Sequence, residues 1–274
     1  MLALRLLTGV PLAIAAIWFV LTQQSDSILY ALIIIAAIAG WEWAGLAKAR
    51  TVAVRITFAL VLSMTLWSIS QLDLSLLVKL QFITTLFWLA VVVYLARVTS
   101  IAKQSGLSGV KLVLGLIAVI PAMIAMWMVH RFNPEWLLFG MSMVWVADIG
   151  AYFAGRKFGK NKLAVVLSPG KTREGFYGAL LLTLVYSFAA SVFYFKLDAT
   201  AVVLTLLMTL VLTVLSVAGD LFESFLKRSA GVKDSGKILP GHGGVLDRID
   251  SLTATMSLFA VSTIYIYNLD MFLV

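Results

Sequence analysis

Apolar runs of about twenty residues follow one another along nearly the whole of this chain, near 3–22, 28–48, 55–71, 75–96, 111–130, 135–154, 175–195, 201–222 and 252–272. Each is long enough for a helix to cross a hydrocarbon layer of about 30 Å. The expected fold is therefore all-α, a polytopic membrane helix bundle of about nine transmembrane helices. Composition agrees, since 62% of the 274 residues are hydrophobic and 12% are charged, whereas soluble domains carry about one quarter charged residues. The third and fourth runs are separated only by Gln71 to Leu74. The first run has full spanning length and no small-residue cleavage site before Gln23 to Ser27, so it reads as a retained helix. With no cysteine in the chain, disulfides, thiolate metal sites and cysteine nucleophiles are excluded. No linker or internal repeat divides 1–274, which reads as one membrane domain, with 1–110 mainly helical scaffold and the functional weight in 140–255.

With nine spans and a cytoplasmic N-terminus, every Lys and Arg except Lys79, Arg131 and Lys196 falls on the cytoplasmic side. That asymmetry is what the positive-inside rule requires, and it puts both long polar loops, near 155–174 and 223–251, at the cytoplasmic face. The net charge of +8 follows from loop cations facing anionic headgroups, so membrane lipids rather than nucleic acid are the expected partner. One residue stands out in the scaffold half. Glu42, between Trp41 and Trp43 near the end of the second run, reads as an interfacial or helix-pairing carboxylate rather than a ligand.

Residues 219–250, GDLFESFLKRSAGVKDSGKILPGHGGVLDRID, put five acidic and five basic side chains into this otherwise lipid-soluble chain. Carboxylates at Asp220, Glu223, Asp234, Asp247 and Asp250 suit a divalent cation, and Lys227, Arg228, Lys233, Lys237 and Arg248 suit phosphates. Asp220, Glu223 and Ser224 share one face if the eighth helix continues, and Asp247 and Asp250 repeat the spacing at the start of the ninth. Two helix ends with paired carboxylates can enclose a cation; a solvated loop with incidental ion pairs is the blander alternative. His242, among Gly241, Gly243 and Gly244, can approach a phosphate or base closely, or serve as a hinge.

A second constellation covers 144–178, VWVADIGAYFAGRKFGKNKLAVVLSPGKTREGFYG. Asp148 lies inside an apolar helix, where an ionisable group is a functional candidate; pairing with a neighbouring helix is the alternative. Most of Arg156, Lys157, Lys160 and Lys162 read as ordinary positive-inside charge. In Ser168-Pro169-Gly170-Lys171-Thr172-Arg173-Glu174-Gly175, hydroxyls, amides and a lysine suit a phosphate cradle before a helix start. It is not a Walker loop, because Val165 stands where the first glycine belongs and no strand is expected before it. Thr172, with Glu174 and Gly175, can equally cap the seventh helix.

The run SFLKRSAGVKDSGKILPGHGGVLDRID resembles the signature of phosphatidate cytidylyltransferases, also called CDP-diacylglycerol synthases. Its fixed positions are filled by Ser224, Lys227, Arg228, Lys233, Asp234, Gly236, Leu239, His242, Gly243, Gly244, Asp247, Arg248 and Asp250. Upstream, AD-GAYFAGR-FGK-KL and SP-KT-EG resemble the family in the same order, so the likeness covers roughly 140–255. Arg173 departs from it, standing where many members carry Trp.

The resemblance implies a nucleotidyltransferase of phospholipid biosynthesis that converts CTP and phosphatidate into CDP-diacylglycerol and pyrophosphate with Mg²⁺, with room for a second cation. A lipid phosphate is already an ionised nucleophile, so catalysis reduces to positioning and charge neutralisation. Asp220, Asp247 and Asp250, with Glu223 and Asp148 as further candidates, are expected to hold the metal. Lys227, Arg228 and Arg248 are expected to neutralise the α-phosphate and pyrophosphate. Ser168, Lys171, Thr172, Glu174, Ser224, Lys233, Asp234, His242, Gly243 and Gly244 are expected around the substrates. A bacterial plasma membrane is the expected location, with the site facing the cytoplasm; the resemblance also allows a homodimer. A CDP-alcohol phosphotransferase needs an Asp-Gly-x-x-Ala-Arg run that is missing here. A prenol or dolichol kinase would release nucleoside diphosphate instead, and an ion pathway would need charges spread across both sides of the membrane.

Overall fold

The computed structural model describes residues 2–239, 241 and 243–266, with the backbone alone for 2–8. Nine α-helices occupy them: α1 (Leu2–Thr22), α2 (Ser25–Leu46), α3 (Val52–Ser70), α4 (Leu74–Ala96), α5 (Gly109–Phe132), α6 (Pro134–Phe158), α7 (Arg173–Ala189), α8 (Ala199–Ala230) and α9 (Leu246–Ile266). From α2 to α9, each is long and apolar enough to cross a membrane, α7 with the π-helical turn Ala190–Tyr194 that extends it. Large apolar side chains cover the outside, among them Met64 at 67% exposure and Leu181 at 67%. On a soluble monomer so much exposed apolar surface would be an aggregation hazard; in hydrocarbon it is the solvated face. The chain is an integral membrane protein.

Helix ends follow local chemistry. Asn133 accepts the Glu135 N–H at 2.7 Å and Pro134 occupies the first turn of α6, where proline forfeits no hydrogen bond. The α8 helix ends at Gly231, which adopts φ 81° while its N–H and that of Val232 close onto the carbonyls of Arg228 and Lys227. Such a left-handed C-cap favours glycine.

Helix α5 sits at the centre, packed on α2, α9, α3, α6 and α4, while α8 packs on α9, α7 and α4. Without a hydrophobic drive between helices in lipid, association rests on close packing and interhelical hydrogen bonds. Both are visible between α7 and its neighbours. Thr183 Oγ1 meets Thr213 Oγ1 at 2.9 Å, and Thr209 Oγ1 donates to Ser187 Oγ at 2.8 Å. On the other side of α7, Gly178 lies directly against Ala154 and the Gly150 carbonyl of α6, where a Cβ would collide.

Two boundaries differ from those predicted by hydropathy. The charged residues Glu223, Lys227 and Arg228 end the apolar run near 222, yet α8 continues to Ala230 because Glu223 and Lys227 pair one turn apart. The segment expected as a loop after α6 contains an antiparallel hairpin, β1 (Lys162–Ala164) with β2 (Ser168–Thr172). Helix termini gather at the hairpin end of the bundle, among them the C-terminal ends of α2, α4, α6 and α8 and the N-terminal ends of α3, α5, α7 and α9.

Gly178→Val forces α6 and α7 apart. Overpacking of this kind costs about 1–3 kcal/mol, so the thermal midpoint in detergent is expected to fall by several degrees; an unchanged midpoint would contradict the packing.

Candidate active site

On α8, Asp220, Glu223, Ser224 and Lys227 fall at intervals of three and four residues and share one face. On α9, Asp247 and Asp250 lie on the first turns. The two helices meet through Lys227, whose Nζ lies 2.8 Å from Glu223 Oε2 and 2.6 Å from Asp247 Oδ1. The three side chains are only 13%, 3% and 6% exposed, so each charge depends on the others for the solvation it has lost. The other oxygen of Asp247 accepts the Ser235 N–H at 3.0 Å, the Gly244 N–H at 2.8 Å and a contact from Ser235 Oγ at 2.9 Å. This single carboxylate therefore ties α8, the 231–245 loop and α9 together.

Beside this knot lies a cavity of about 690 Å³, walled by α6, the hairpin, α7, α8 and α9. Its charged lining comprises Asp148, Asp220, Asp234, Asp247 and Asp250 with Arg156, Lys171, Lys227 and Arg248. Lys171 crosses from the hairpin to place Nζ 2.7 Å from Asp220 Oδ2. Asp148 lies within electrostatic reach of Lys171, Asp220 and Arg248, and Asp250 within reach of Asp220 and Lys171. Apolar walls at Leu163, Phe176 and Val217 are shared with a second groove lined by α4 and α8, including Val92, Leu95, Val214 and Leu221. The cavity thus has a charged floor and an apolar flank.

The expected residues divide into three groups. Asp148, Asp220, Lys227, Asp247, Arg248, Asp250, Lys171, Thr172 and Asp234 line the cavity together. Glu223 and Ser224 stand just behind it, Ser224 Oγ reaching Asp220 Oδ1 at 3.4 Å, and Gly243 and Gly244 shape the turn that feeds Asp247. Outside the lining are Arg228 and Lys233, both exposed, Ser168 in β2, and Glu174. Glu174 accepts from the Lys160 and Asn161 backbone N–H groups and from Asn161 Nδ2 at 2.7 Å, which closes the hairpin. Thr172 does cap α7, accepting the Gly175 N–H at 3.1 Å, and lines the cavity as well. His242 and Pro240 lie outside the described residues.

The donor set of this cavity bears on whether it can hold a divalent cation. Among the described residues no cluster of three preformed metal ligands occurs, and both oxygens of Asp247 are already engaged. Asp220 is the more exposed, at 33% against 6% for Asp247, and its oxygens meet side chains alone, Lys171 Nζ and, at 3.4 Å, Ser224 Oγ, while Asp250 holds only the N–H of its neighbour Ser251 at 2.7 Å among the described backbone donors. Asp220 already holds a cation, the Lys171 ammonium, and Glu223 Oε1, behind the pair, is buried with no hydrogen-bond donor. Mg²⁺ commonly uses one or two carboxylates and takes its remaining oxygens from phosphates and water, so this all-oxygen pair fits it without a closed cage.

Residues 3–266 match the model of a family described as the cytidylyltransferase family. The chain is 38% identical over 236 residues to a phosphatidate cytidylyltransferase of Pseudomonas aeruginosa, covering 82% of this chain and 83% of the relative. It is 50% identical over 129 residues to a protein of that name from Haemophilus influenzae, covering 45% and 44%. A Staphylococcus saprophyticus protein of the same name is 46% identical over 133 residues, covering 48% and 50%.

Removing one partner of a buried ion pair costs about 3–5 kcal/mol, whereas part-exposed pairs contribute about 0–1 kcal/mol. Lys227→Met is therefore expected to lower the thermal midpoint far more than Lys171→Met, whose pair with Asp220 is 25% and 33% exposed. Equal losses in a side-by-side melt would contradict the Lys227 account.

Proposed function

The chain belongs to the cytidylyltransferase family, a family of nucleotidyltransferases, and from that premise we propose that it transfers the cytidylyl group of CTP to phosphatidate. A phosphate oxygen of phosphatidate attacks the α-phosphorus of CTP, the bond to the β-phosphate breaks, and CDP-diacylglycerol and pyrophosphate result. The observation that carries this reading is the cavity itself, where Lys227, Lys171, Arg248 and Arg156 face carboxylates beside an apolar flank. That combination suits a polyanionic nucleotide meeting a lipid phosphate.

The chain's own groups do three things in this reaction. Lys227, fixed by Glu223 and Asp247, presents an ammonium that cannot swing away and so stabilises charge developing on the phosphates without reorganisation. Lys171, on the more exposed pair, exchanges Asp220 for a phosphate oxygen as the nucleotide enters. Arg248, exposed at the mouth, meets the departing pyrophosphate. The phosphatidate phosphate is ionised near neutral pH, so no general base is required. Asp220 and Asp250, with Asp148 facing them, would hold a divalent cation, which when bound adds positive charge to the phosphate oxygens. Asp247 serves instead as the organiser of Lys227 and the 231–245 loop. The acyl chains leave along the Leu163, Phe176 and Val217 wall.

Placement of the cavity at the end of the bundle that gathers the basic loops favours a cytoplasmic orientation, and bacterial relatives favour a plasma membrane.

Detergent-purified protein is expected to release pyrophosphate and form a CDP-lipid only when CTP, phosphatidate and Mg²⁺ are all present, with ATP or diacylglycerol unable to substitute. Asp220→Asn and Asp250→Asn are expected to lower kcat by about 100-fold or more while remaining folded. Turnover with ATP, or full activity of both variants, would refute the reading.

A further inference from the structure

We propose that Glu42, on α2 and far from the signature in sequence, is the positioning residue of this active site, and the proposal rests on the reaction set out above. Glu42 is 2% exposed, yet no ion pair with a described cation neutralises it. Its carboxylate instead receives the Val245 N–H on Oε1 at 3.1 Å and the Leu246 N–H on Oε2 at 2.8 Å. Those N–H groups open α9, so Glu42 supplies from another helix the anion that a helix N-terminus attracts.

The same carboxylate also reaches the active-site organiser. Ser235 Oγ stands 3.1 Å from Glu42 Oε2 and 2.9 Å from Asp247 Oδ2. One hydroxyl proton serves one acceptor at a time, so Ser235 links the two carboxylates, and Asp247 in turn fixes Lys227. Glu42 and Asp247 thus grip Ser235 and the run from Gly244 to Leu246 from two sides. The backbone has adapted to that grip. A Cβ at Gly236 or at Gly244 would collide with the Glu42 carboxylate, so at both positions glycine is what admits it.

Glu42 does not line the cavity; it acts through Ser235 and the α9 N-terminus. Glutamine keeps its length but sets an NH₂ against backbone donors. For Glu42→Gln, kcat is expected to fall about 10–100-fold, the effect typical of outer hydrogen-bond partners of a functional site, with KM for phosphatidate little changed. Amide hydrogen exchange in 235–246 is expected to quicken in the substrate-free protein. Ser235→Ala is expected to lower kcat less, and the double variant to be no slower than Glu42→Gln alone, because both act on one network. Should Glu42→Gln fail to fold, Ser235→Ala decides through the same two readouts. Wild-type kcat and exchange, a loss that only follows the folded fraction, or additive single effects would each overturn the proposal. Exchange needs no substrate, so a wild-type protein that makes no CDP-lipid defeats the reaction while leaving the positioning measurable.

Discussion

Lys227 is the interaction on which the rest of this site depends. An ammonium largely withdrawn from water loses its hydration, and no single carboxylate in a membrane protein restores it fully. Here two do so, Glu223 one turn back on the same helix and Asp247 on the facing one, at 2.8 and 2.6 Å. The pairing has consequences along the chain. It accompanies α8 two turns past the apolar run, joins α8 to α9, and engages Asp247, which lines the cavity beside Asp220 and Asp250.

The membrane explains why so much polar chemistry is concentrated at helix ends. Backbone groups in hydrocarbon must be satisfied within a helix or inside the protein, so irregular segments are admitted only where side chains or other backbone can serve them. Parts of the 231–245 loop meet that condition through Asp247 and Glu42, which take the N–H groups of Ser235, Gly244 and Val245 and, at the start of α9, that of Leu246. The hairpin before α7 meets it through Glu174, which accepts from Lys160 and Asn161. Glu174 thus closes the start of a hairpin whose strands pair with each other, and hairpin and loop both contribute to the cavity wall.

Much of this was legible in the sequence. Apolar runs locate the nine helices of the described residues, because a period-free stretch of that length has few other uses, and the residues from Asp220 to Asp250 point to the family. Three things were not legible. The hairpin's three-residue strand β1 is too short to show a period of two. The end of α8 was hidden because Glu223, Lys227 and Arg228 break the apolar run, although their spacing and Gly231 beyond them are helix signals. Glu42 read as an interfacial carboxylate because its partners, Ser235 and the α9 N-terminus, are about two hundred positions away, a pairing that no local pattern encodes. Asp247 and Asp250 are alike in their spacing for a similar reason, since only the distant partners of Asp247, Lys227 and Ser235, set the two apart.

In the proposed reaction Asp247 organises the site through Lys227, while Asp220 and Asp250 would receive the divalent cation that accompanies the nucleotide. Anomalous scattering from Mn²⁺ in crystals of the CTP-bound protein tests it most directly. A peak is expected at the Asp220 and Asp250 carboxylates with Lys227 still bound to Asp247; a peak on Asp247, with Lys227 displaced and none at the other two, would overturn this division of roles.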